Sequence, residues 1–291
     1  MQPLPDKSAD EKPAPQLKIY FLPNLMTAGN LFCGFVALTK IVEARGPAPS
    51  DPVNYGEIKL ALAFILLACI FDLLDGRLAR MGGVESAFGR EFDSLADLIS
   101  FGAAPAFLVN RVVLRDVFIR HPEIGWFISS IYLICGALRL ARFNCLSAMS
   151  GGGGGKEFLG FPIPAAAGLV ASVTLFLMWG ERTEADFRSP PWNFILPGLM
   201  VFLSLMMVSE VKYPSFKTLD LKARRTFPKM VVTMIFIGFL VILRGYILPI
   251  ILPLIFTLYL LYGFVRPRIS HKVRHEIEEE EDEDDPSSLT P

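Results

Sequence analysis

The sequence predicts an all-α protein: a polytopic membrane helix bundle of about eight transmembrane helices, with the N- and C-termini cytoplasmic. Three observations predict it. The 291-residue chain is 52% hydrophobic with 24 Phe, and its mean hydropathy is +0.45, more than a soluble core requires. Its apolar runs repeatedly approach the roughly 20 residues that cross a bilayer. With the N-terminus inside, the Lys and Arg residues divide 19 to 9 in favour of cytoplasmic segments, as the positive-inside rule demands.

Taken in order, residues 1–17 are rich in Pro, Lys and acidic residues and lack the apolar core of a secretory signal. They read as a disordered cytoplasmic tail. The first span, about 20–42, opens on Pro23-Asn24 and Thr27, residues suited to starting and capping a helix. Spans follow at about 59–80, 91–113 and 124–145. Gly151–Gly155, followed by Lys156, lacks the Ser or Thr of a phosphate loop and follows a helix, so it reads as a flexible linker. Pro162 and Pro164 set the entry of the fifth span, 161–180, because proline is tolerated in a first turn. Gly168 within it reads as a packing residue. A sixth span covers 192–210. The seventh and eighth, 228–243 and 246–265, are separated only by Arg244-Gly245 and form either a tight hairpin or one broken segment. Residues 18–266 thus read as one transmembrane domain.

The last segment, 267–291, is basic and then acidic. Glu276–Asp285 holds nine acids and cannot bury enough apolar area to fold. Without those nine, 28 basic residues face 20 acidic ones, a surplus that suits anionic lipid headgroups. Cys33, Cys69, Cys135 and Cys145 form no C-x-x-C pair and read as small buried apolar residues. His121, His271 and His275 lie outside the spans, which argues against haem ligation or a histidine base within the membrane.

The chemistry concentrates between the second and third spans. The order is Asp72-x-x-Asp75-Gly76-x-x-Ala79-Arg80, eight residues, then Gly89-x-x-x-Asp93-x-x-x-Asp97. At about 100° per residue each half falls on one side of its helix, so two helices offer carboxylates to a shared space. A carboxylate at a membrane helix centre costs roughly 2.5–3.5 kcal/mol on insertion scales. Ion pairing alone does not balance four of them, because only Arg77, Arg80 and Arg90 lie nearby. Two hard divalent cations, Mg²⁺ or Mn²⁺, would. Arg80 adds a cation able to fork onto phosphate, and Gly76, Ala79 and Gly89 leave room for a ligand against the helix backbones. Together these point to phosphate chemistry at two metals.

That run resembles the signature of the CDP-alcohol phosphotransferase family at every fixed position from Asp72 to Asp97. The resemblance implies transfer of a substituted phosphoryl group from a CDP-linked donor to an alcohol, with release of CMP at the cytoplasmic membrane surface. It implies that Asp72, Asp75, Asp93 and Asp97 hold the metals, with Asp97 also the base for the incoming hydroxyl. Gly76, Ala79 and Gly89 would admit the cytidine, and Arg80 would hold the diphosphate. Three flanking segments, Leu22–Gly34, Gly136–Asn144 and Gly160–Gly168, look like the phosphatidylserine synthase branch. They imply donor contacts from Asn24 and Thr27, and acceptor contacts from Arg139, Arg142 and Asn144, suited to the carboxylate and amine of L-serine. Arg139 and Arg142 also suit topology anchors at a cytoplasmic helix end. The implied substrates are CDP-diacylglycerol and L-serine, and the implied assembly is a homodimer in the cytoplasmic membrane with its site facing the cytoplasm. The alternatives are another acceptor, glycerol 3-phosphate or an inositol phosphate, or a cation or proton transporter built on intramembrane carboxylates. A transporter has no use for Gly76, Ala79, Arg80 and Gly89 at this spacing.

Overall fold

Apolar runs this long satisfy their backbone polar groups internally only as helices, and helices dominate the computed structural model. It describes residues 21–46, 52–81, 86–149, 157–182, 194–214 and 248–263. α1 is Phe21–Glu43 and α2 is Tyr55–Met81. α3 runs continuously over Ala87–Val117 and α4 over Pro122–Met149. α5 is Ile163–Arg182, α6 is Ile195–Val208 and α7 is Leu248–Gly263. A short antiparallel ribbon, β1 (Glu157–Leu159) with β2 (Lys212–Pro214), pairs Phe158 with Tyr213.

Four of these helices, within α1, α3, α4 and α5, are long and apolar enough to cross a membrane. α6 and α7 are shorter apolar helices, and α2 carries Glu57, Lys59, Asp72 and Asp75 along its length. An integral membrane bundle is therefore observed. The expected span at 228–243 and both expected tails lie outside the described residues.

α1 and α2 form an antiparallel hairpin. Asn54 closes it, its N–H bonding the Ala44 carbonyl at 2.7 Å while its side chain accepts from the Gly56 N–H at 3.0 Å. Beyond this end, Arg45 pairs with Asp116 at 2.8 Å, and Arg111 donates to the Arg45 carbonyl. Arg115 reaches the Gly46 carbonyl at 3.2 Å. Cations at a helix C-terminus complement its dipole, so these arginines tie α3 to the end of α1. The hairpin carries the start of α1 back to the aspartates of α2.

α3 bears two π-helical stretches, Leu98–Ala103 and Asn110–Leu114. Between them Pro105 has no N–H to offer. The carbonyl four residues earlier, on Phe101, accepts instead from the Tyr132 hydroxyl of α4 at 3.2 Å. The core runs through Ile41, Leu62, Phe101, Leu108, Ile163 and Met207, all essentially inaccessible. Phe32, Phe35, Ile70, Phe127, Ile134 and Leu205 are exposed outward, the pattern of a bundle whose solvent on those faces is lipid.

Gly160 turns the chain from β1 into α5 at φ 78°, a left-handed conformation that glycine adopts without penalty. Its N–H and that of Phe161 bond the Val211 and Met206 carbonyls at 2.9 and 3.0 Å. Pro162 sits at the entry of α5 as expected, its carbonyl accepting from Ala166 N at 3.0 Å. Gly168 packs as expected, because a methyl there would run into the ring of Phe256 on α7. Burial pushes the Tyr213 phenol up to about 12, so at neutral pH it keeps the proton it offers the Leu260 carbonyl at 3.4 Å.

Candidate active site

The start of α1 lies between the two aspartate-bearing helices and presents Asn24, Thr27, Asn30 and Gly34, each spaced to fall on one side of it. Thr27 Oγ1 lies 3.1 Å from Asp75 Oδ2 and 3.2 Å from the Pro23 carbonyl oxygen. Asn30 Nδ2 donates to Asp97 Oδ1 at 2.9 Å, and the Asn30 carbonyl accepts from Ser100 Oγ at 2.9 Å. A methyl on Gly34 would collide with Ser100. One helix thus fixes a carboxylate from each half of the motif.

Asp72, Asp75 and Asp93 converge, each offering a carboxylate oxygen within 4.8 Å of the others. Asp93 Oδ1 is buried without a hydrogen-bond partner. Three hard oxygen ligands, one of them orphaned, fit a divalent cation of the Mg²⁺ or Mn²⁺ kind. Asp97, one turn beyond Asp93, is not in this triad; it is buried and held by Asn30. The four expected carboxylates therefore divide into a converging three and a separately anchored fourth.

Gly89 stands in the first turn of α3, which Ser86 caps by accepting from the Gly89 N–H at 2.9 Å. A Cβ on Gly89 would sit 3.1 Å from Ser86 Oγ and 3.3 Å from Asn24 Oδ1, so this glycine is where α3 meets α1. Asn24 Nδ2 is buried without a partner. Gly76 follows Asp75 directly on α2. Ala79 and Arg80 lie on the last turns of α2, and their side chains lie outside what is described.

The expected acceptor residues, all on α4, have different surroundings. Arg139 is only 8% exposed, its Nε lacks a hydrogen-bond partner, and its guanidinium interacts electrostatically with Asp97 and Asp72. Asn144 Nδ2 donates to Glu91 Oε2 at 3.1 Å and Ser94 Oγ at 3.0 Å, tying α4 to α3, while its Oδ1 is buried and unpartnered. Arg142 donates to the carbonyls of Val208 (3.1 Å) and Ser209 (3.0 Å). Those are orphan carbonyls at the end of α6, a favoured place for a guanidinium.

Asn30, Ser100, Glu91 and Ser94 are site neighbours that the motif reading did not name. The signal for Asn30 was its place within the flanking segment Leu22–Gly34, an amide three residues after Thr27 on the same side of α1.

Comparison with known proteins places this geometry. The family model described as CDP-alcohol phosphatidyltransferase matches residues 20–208. A Helicobacter pylori J99 protein named CDP-diacylglycerol–serine O-phosphatidyltransferase is 32% identical over 249 residues, 85% of this chain and 91% of its own length. A Bacillus subtilis protein of the same name is 33% identical over 198 residues, 68% of this chain and 92% of its own. An archaetidylserine synthase from Methanothermobacter thermautotrophicus is 32% identical over 195 residues, 66% of this chain and 69% of its own.

Proposed function

The chain belongs to the CDP-alcohol phosphatidyltransferase family, and from that premise we propose that it transfers the phosphatidyl group of CDP-diacylglycerol to the hydroxyl of L-serine, giving phosphatidylserine and CMP. The observation that carries this reading is the meeting of Asp72, Asp75 and Asp93, with the buried guanidinium of Arg139 within electrostatic reach of Asp72 and Asp97. A phosphate site and a carboxylate site are then neighbours.

Asp72, Asp75 and Asp93 would hold a divalent metal, Mg²⁺ or Mn²⁺, and Asp97 would complete a two-ion set. Bound there, such cations would neutralise charge on the diphosphate. Asp97, fixed by Asn30, takes the proton from the serine hydroxyl as that oxygen attacks the phosphorus next to diacylglycerol. The oxygen–phosphorus bond to CMP breaks in the same displacement, and the excess charge leaves on CMP. Among the described residues no activated Ser, Cys or His nucleophile stands beside the motif, and the step needs none. Asn24, Gly76, Ala79 and Gly89 would admit the cytidine along the helix backbones, and Arg80 would hold the diphosphate. Thr27 acts through Asp75, which it bonds. Arg139 takes the serine carboxylate and Asn144 Oδ1 the ammonium, while Arg142 holds α4 against the end of α6. These roles are positional and electrostatic, as phosphoryl-group chemistry requires.

The same reading places the enzyme in the cytoplasmic membrane with its site on the cytoplasmic face. It takes residues 18–266 as the catalytic domain between cytoplasmic tails, spanning about eight times, and the assembly as a homodimer. The test uses the full chain in vesicles containing CDP-diacylglycerol and either Mg²⁺ or Mn²⁺, with CMP release as the readout. L-serine is expected to drive release, and glycerol 3-phosphate and inositol phosphate are not. Release only with a phosphorylated acceptor overturns the serine assignment, and none with any alcohol overturns the chemistry.

A further inference from the structure

At about 100° per residue, Ser94 lies roughly 60° round α3 from Asp97, and Glu91 lies roughly 60° beyond Ser94 in the same direction. Asn144 of α4 bonds to both. Its Nδ2 donates to Ser94 Oγ at 3.0 Å and to Glu91 Oε2 at 3.1 Å. α4 therefore touches α3 beside the stripe that carries Asp93 and Asp97.

These two partners dictate which way the Asn144 amide lies. A carboxylate only accepts. Ser94 Oγ spends its proton on the Arg90 carbonyl, 3.1 Å away, so it too can only accept from the amide. The NH2 must face Glu91 and Ser94, and Oδ1 must face away from them, where it is buried without a hydrogen-bond partner. Only a donor can satisfy that oxygen, and leaving it unmet is unfavourable. An ammonium brings three donors, whereas a phosphate monoester dianion brings none. Glu91 is exposed, and its negative charge at hydrogen-bond distance from Asn144 attracts an ammonium and repels a phosphate.

We propose that Glu91 determines acceptor specificity: by fixing the Asn144 amide with its oxygen left for the acceptor, and by its own charge, it selects an alcohol that bears an ammonium over one that bears a phosphate. This rests on the reading of L-serine as the acceptor, with its ammonium on Asn144. Glu91 occupies one of the unspecified positions between Gly89 and Asp93. The motif that reads the donor thus leaves room, on the next face of the same helix, for a residue that reads the acceptor.

Glu91→Gln keeps the length of the side chain but presents an NH2 as readily as an oxygen, so it removes the charge and releases the Asn144 amide together. In the CMP-release assay it should raise KM for L-serine roughly 3- to 10-fold, the range of one net hydrogen bond. KM for CDP-diacylglycerol should stay within about twofold. The comparison is 3-hydroxypropanoate, which is serine without its amino group. Its inhibition constant against serine should move by less than about twofold, and that of glycerol 3-phosphate should fall. An unchanged KM for serine, an equal shift for serine and 3-hydroxypropanoate, or no tighter binding of glycerol 3-phosphate overturns the proposal and leaves the serine reading standing. Release driven by glycerol 3-phosphate and not by serine in the wild type overturns both.

Discussion

Asn30 is the buried residue whose removal should be felt most sharply in turnover. It is fully inaccessible, and its single hydrogen bond to Asp97 is 2.9 Å long. A hydrogen bond to a charged group contributes about 1.5–3 kcal/mol, which at 1.36 kcal/mol per decade is roughly 10- to 150-fold in rate. Asn30→Ala should therefore lower kcat for CMP release by about that factor, with KM for CDP-diacylglycerol little changed. Ser100→Ala is the matched control. It removes the 2.9 Å bond to the Asn30 carbonyl but nothing from the carboxylate. It should cost about 1 kcal/mol of stability, a melting shift of roughly 2–4 °C at this chain length, and leave kcat within about twofold. Both variants are followed by initial rates over a matrix of serine and CDP-diacylglycerol concentrations and by thermal unfolding in detergent. Wild-type kcat in Asn30→Ala, or an equal fall in both variants, would show that Asn30 merely packs α1 against α3.

Asp97→Asn removes the proton acceptor but keeps a group that Asn30 can meet. CMP release should fall roughly 10²- to 10⁴-fold, with CDP-diacylglycerol binding retained by direct titration. Chelation of divalent ions should abolish release and added Mg²⁺ or Mn²⁺ restore it; activity that survives exhaustive chelation would count against the triad as a metal site. Arg142→Gln loses two bonds to the end of α6 and should lower the melting midpoint, while KM for serine moves less than it does in Arg139→Gln. A larger KM effect from Arg142 would return it to the acceptor itself.

The aspartates were legible because helical spacing alone places Asp72 with Asp75 and Asp93 with Asp97, and an uncompensated acid in an apolar helix demands a partner. Their convergence follows from residue order. The separate anchoring of Asp97 does not, since it depends on which face of α1 lies between α2 and α3. Span limits were read from hydropathy, so the first turn, Ala87–Arg90, was missed at the start of α3, where capping by Ser86 extends the helix. Arg142 illustrates the opposite difficulty. A basic residue near a helix end suits an anchor, a ligand contact and a cap equally in sequence, and the bonds to the carbonyls of Val208 and Ser209 are what the sequence did not show.

The length of α3 bears on how the membrane tolerates its acids. At 1.5 Å per residue, its 31 residues extend about 46 Å, while the hydrocarbon layer is about 30 Å thick. Some 15 Å must project beyond the acyl chains, and the polar turns at either end are suited to do so. At the starting end those turns carry Arg90, Glu91, Asp93 and Asp97. Where that overhang falls at the starting end, it brings these carboxylates toward the headgroup layer. A shorter third helix would draw the same residues down into hydrocarbon, away from the only part of the donor they could hold.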